Sequence, residues 1–150
     1  MIDLLCSKKG LTALFSGAIY DYFVDDGGDL LEQSYLFRRA DGTQEGKEVS
    51  VDELADDLLS GKKILVLDVE REPNLVSLQD IRTAFEDLLQ KEYPHDYYNP
   101  VKWFEREIDF YNSEEWDHHY NYHYFVPYFI LDIWSAILLQ SNPEAYIYEH

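Results

Sequence analysis

The stretch Asp117-His118-His119-Tyr120-Asn121-Tyr122-His123 holds the densest set of metal-ligating side chains in the sequence. His119 and His123 are four residues apart. On a helix they share a face and could chelate zinc or another divalent cation, with Asp117 supplying an oxygen. No Cys-x-x-Cys accompanies them, and the first histidine is not followed by the glutamate of a metalloprotease helix. The competing reading, favoured here, is a polar and aromatic-rich surface that leads into the last helix. No metal and no cofactor is expected.

Other residues with chemical potential are more easily explained as structure. Cys6 is flanked by Leu5 and Ser7 and reads as a small buried hydrophobe rather than a nucleophile. Asp132 sits inside an apolar stretch. An interior carboxylate without a partner is costly, so a hydroxyl or an arginine should satisfy it. A role in general acid–base chemistry needs such a shifted carboxyl, and Asp132 is the best candidate for one. Gly27-Gly28 and the Gly42 to Gly46 segment are turn glycines. Neither forms a phosphate-cradling loop after a strand. No Gly-x-Ser-x-Gly elbow and no calcium loop is found.

The charge pattern is more informative. The 150 residues carry 12 Lys+Arg against 30 Asp+Glu, a net charge of −18. Residues 25–60 hold 11 acids and 3 bases, and residues 92–150 hold 11 acids and 2 bases. Between them, residues 61–91 are almost balanced, with 6 acids and 5 bases. After Arg106 there is no lysine or arginine. This argues against direct nucleic-acid binding, which needs clustered cations to meet phosphates. Anionic membrane surfaces repel such a chain for the same reason. Aromatic content of 16% excludes a disordered acidic tail. The most apolar stretch, Tyr124 to Leu139, is shorter than the roughly 20 residues a bilayer needs and contains Pro127 and Asp132. One cysteine and no signal-like N-terminus fit a reducing cytoplasm.

Helical spacing of Leu11, Leu14, Phe15, Ala18, Ile19, Tyr22 and Phe23 predicts a first helix from about Ser7 to Val24. Gln33 to Arg39 alternates like a strand, with Lys47-Glu48-Val49 as its returning partner after the Ala40-Asp41-Gly42 turn. Ser50-Val51-Asp52-Glu53 reads as a capping box. The short helix behind it should turn Leu54, Leu58 and Leu59 inward and Asp52, Glu53, Asp56 and Asp57 outward. Gly61 ends it, and Ile64 to Leu67 follows as a buried strand. Ser77 and Asp80 cap a helix to Gln90 with a stripe of Ile81, Ala84, Phe85, Leu88 and Leu89. Asn99-Pro100 opens another to about Tyr111, with Trp103, Phe104 and Ile108 inward. The last long helix spans about Phe125 to Gln140, and Ala145 to Tyr148 reads as a last edge strand or a loose tail. The expectation is a single α+β domain over residues 1–150, helix-dominant, with about five helices and a small mostly antiparallel sheet. An all-α fold is the alternative.

These elements put acids and aromatics together. Asp52, Glu53, Asp56 and Asp57 form one expected partner-binding face. Glu105, Asp109, Glu114, Glu115, Trp116, Asp117, Tyr120 and Tyr122 form the other. Carboxylates take arginine in bidentate pairs, and Trp and Tyr are favoured anchors of protein interfaces. In size, charge and aromatic content the chain resembles the acidic immunity proteins that bacteria carry against their own nuclease toxins. That likeness transfers no site residues, because no motif carries it. It implies a non-enzymatic inhibitor that occludes a basic site on a partner protein, a nuclease toxin or another nucleic-acid-binding protein. Two alternatives stand beside it. A phage- or plasmid-encoded nucleic-acid mimic, of the anti-CRISPR or antirestriction kind, would employ the same electrostatics on another target. A metal-dependent enzyme would use Asp117, His119 and His123.

Overall fold

The structure, a computed structural model, describes residues 1–18, 36–40, 50–68, 72–93, 98–113 and 128–144. Six helices and three strands lie among them: α1 (Ile2–Leu5), α2 (Lys8–Ala18), β1 (Leu36–Arg39), α3 (Val51–Leu59), β2 (Ile64–Leu67), β3 (Pro73–Val76), α4 (Leu78–Gln90), α5 (Pro100–Tyr111) and α6 (Tyr128–Ser141). The fold is α+β and mostly helical, and its sheet overturns the all-α alternative.

The sheet is antiparallel throughout, in the order β1-β2-β3. Phe37 lies opposite Val66, and Val66 opposite Asn74. Alternation then sends Phe37, Ile64, Val66, Asn74 and Val76 to the core face. Leu75 points the other way and is 52% exposed. β1 pairs with β2, and the expected returning strand Lys47-Glu48-Val49 lies outside the described residues.

β3 has no counterpart in the predicted elements. It opens with Pro73, which a strand tolerates at its first position on a sheet edge. It also buries Asn74, whose polarity breaks the apolar pattern. That amide is satisfied by donation from Nδ2 to the Glu72 carbonyl at 3.0 Å, while its Oδ1 accepts from Asn142 at 3.3 Å. The β2–β3 link closes on Asp68, whose Oδ1 accepts the Glu72 amide at 3.0 Å.

Helix ends follow local chemistry. At α4 the capping box is complete: the Ser77 hydroxyl accepts from the Asp80 amide and the Asp80 carboxylate from the Ser77 amide. At α5, Asn99 Oδ1 accepts from the Val101 and Lys102 amides, with Pro100 in the first turn. The expected box at α3 is not formed. Ser50 occupies the N-cap in an extended conformation, but its side chain makes no capping bond. Asp52 and Glu53 in the first turn still complement the positive end of the helix dipole.

Each helix lays an apolar stripe on one shared core. Its centre is aromatic: Phe15 on α2, Phe37 on β1 and Trp134 on α6 bring their ring centroids to 4.9 and 5.0 Å across Phe37. The Trp134 indole N–H donates to the Leu14 carbonyl. Phe85 of α4 stacks on Phe104 of α5 at 6.1 Å. Two residues expected inside are outside. Leu59 is 44% exposed because it falls in the last turn of α3, where the chain leaves the core. Trp103 is 38% exposed and lies under the Arg106 guanidinium.

Candidate functional site

Two consecutive lysines at the start of α2 each meet an acid on a neighbouring helix. α2 packs between α3 and α5. Lys8 reaches Asp56 of α3 at 3.2 Å, and Lys9 reaches Asp109 of α5 at 2.5 Å. Consecutive side chains on a helix diverge by about 100°, so the pair faces both neighbours at once. A second contact fixes α5 on the same side: Asn112, which caps α5, donates from Nδ2 to the Lys9 carbonyl at 3.0 Å and accepts the Thr12 hydroxyl at 2.9 Å. Asp56 and Asp109, far apart along the chain, thereby flank one helix end.

The α3 face contains Asp52, Glu53 and Asp56, all exposed. Asp57 does not belong to it. Its side chain is turned inward and is only 7% exposed. Arg39 of β1 holds it in a fork, with Nε to Oδ2 at 2.8 Å and Nη2 to Oδ1 at 3.0 Å. The outward placement expected from spacing fails here because β1 supplies a cation to that side of α3. This bidentate geometry is the strong form of the ion pair, and it joins helix to sheet. The helix ends beside it in a Schellman motif: the Lys62 amide donates to the Asp57 carbonyl and the Gly61 amide to the Leu58 carbonyl. That motif needs a left-handed residue, and Gly61 has φ of 93°.

On α5, Asp109 is exposed and Glu105, one turn earlier, is half-buried. Glu114, Glu115, Trp116, Asp117, Tyr120 and Tyr122 lie outside the described residues, as do His119 and His123. Among the described residues no group of three His, Cys, Asp or Glu could hold a metal ion.

Asp132 has the hydroxyl partner that its position calls for. The Tyr98 phenol, from the segment that leads into α5, donates to Asp132 Oδ2 on α6. Burial first, and then this bond and the nearby carboxylate, push the Tyr98 hydroxyl well above the ordinary tyrosine range. Tyr93 packs edge-on against Tyr98 at 5.5 Å and is raised by burial and by Asp132. Such groups hold protons rather than exchange them near neutrality. The same holds for Cys6, which is buried and whose thiol is pushed up by burial.

Sequence reasoning missed the role of Lys8 and Lys9. The only signal was that residues 1–24 balance two acids with two bases inside an acidic chain. Among the described residues no helix is long and apolar enough to cross a membrane. Compared with protein-family models, with curated proteins and with solved structures, the chain has no significant match.

Proposed function

We propose that the protein is a small acidic cytoplasmic inhibitor that binds and occludes a basic site on a partner protein, with a nuclease-type toxin as the partner class. The observation that supports this most directly is the placement of Asp56 of α3 and Asp109 of α5 on either side of the α2 N-terminus, paired with Lys8 and Lys9. Two lysines meet two carboxylates there, while the chain as a whole carries a charge of −18. A field of that sign steers cationic partners and raises association rates by roughly 10–10³. The carboxylates of Asp52, Glu53 and Asp109 would stand where nucleic-acid phosphates sit in the partner's site, taking arginine in bidentate pairs. Trp103 and the aromatics that follow α5 in sequence, Trp116, Tyr120 and Tyr122, supply anchors. No cofactor enters this mechanism.

Affinity capture from the native host at low and high salt, with mass spectrometry of what is retained, tests the reading. A basic nucleic-acid-processing protein should be held at low salt and released at high salt. A variant with Asp52→Asn, Glu53→Gln and Asp109→Asn should associate with it at least about tenfold more slowly, with dissociation little changed. Capture of neutral or acidic proteins alone, or association that is insensitive to salt and unchanged in the variant, overturns it.

A further inference from the structure

We draw no further inference here: the strongest candidate, the open cleft of about 370 Å³ between the C-terminal end of α4 and the N-terminal end of α5, lined by Lys91, Tyr93, Tyr98 and Lys102, rests on surface lysines beside a helix N-terminus that Asn99 already caps, and no second feature of the described residues points to a ligand.

Discussion

Asp56 and Asp57 are adjacent on α3, yet one faces solvent against Lys8 and the other is buried in the two-pronged grip of Arg39. Adjacent acids of identical chemistry thus differ in what their removal costs. Asp57→Asn leaves a partly buried guanidinium without its counter-charge and should destabilise the fold by about 2 kcal/mol. Asp56→Asn breaks an exposed pair and should cost less than about 1 kcal/mol. Urea unfolding of both variants checks this. Equal midpoints would show that the Arg39–Asp57 fork adds nothing.

Tyr98 links the start of α5 to α6 through Asp132. Replacing it with Phe removes the hydrogen bond to Asp132 and should cost about 1 kcal/mol. The effect should also depend on pH. The folded state holds the Tyr93, Tyr98 and Tyr111 protons more tightly than the unfolded chain does. Stability from these groups is therefore complete below the unfolded tyrosine value of about 10 and falls as pH rises above it. The Tyr98→Phe variant should show a shallower alkaline decline than the wild type. Chemical denaturation across the alkaline range gives the slopes, and parallel slopes would contradict the assignment.

Gly10 sits where α2 passes over the end of α1. A Cβ there would stand 2.3 Å from the Leu5 carbonyl oxygen and 2.4 Å from that of Leu4. Backbone atoms cannot move aside as a flexible side chain can. Gly10→Ala should therefore destabilise by about 2 kcal/mol, although alanine favours an isolated helix by about 1 kcal/mol. At Gly61 nothing crowds a Cβ, and the penalty comes from φ alone. Gly61→Ala should cost about 1 kcal/mol, with Asn better tolerated than Ala. Thermal or urea melts of the three variants decide the order.

Trp134 fills the centre of the core and is fully buried. Trp134→Ala should cost about 3–5 kcal/mol, a large share of the stability of a domain this size. Leu75→Ala, on the outer face of the sheet, should change it by about 0.5 kcal/mol or less. Near-ultraviolet circular dichroism and unfolding midpoints separate the two cases.

Elemental analysis tests the alternative built on Asp117, His119 and His123. The purified protein should carry no stoichiometric metal. Bound zinc that disappears on replacing His119 and His123 with alanine would favour the metal-dependent reading over the inhibitor.

What was legible in the residues alone was whatever is decided within about a turn of chain. The Ser77–Asp80 box, the Asn99-Pro100 start, the stop at Gly61 and the strand Ile64 to Leu67 each depend on near neighbours, and each stands in the structure, although only Ile64 and Val66 of that strand are buried while Leu65 and Leu67 are half-buried. The helical spacing of Leu11, Leu14, Phe15 and Ala18 likewise named the buried face of α2. Charge counting found two acidic regions but left them separate. Tertiary packing decided the rest, because a side chain's role depends on what stands opposite. β1 turned Asp57 into a structural anchor, and Asn142 made Asn74 tolerable inside the sheet. The direction of α2 between α3 and α5 brought Asp56 and Asp109 to one end of that helix. No periodicity encodes these pairings, since each joins residues whose separation along the chain carries no information about their separation in space.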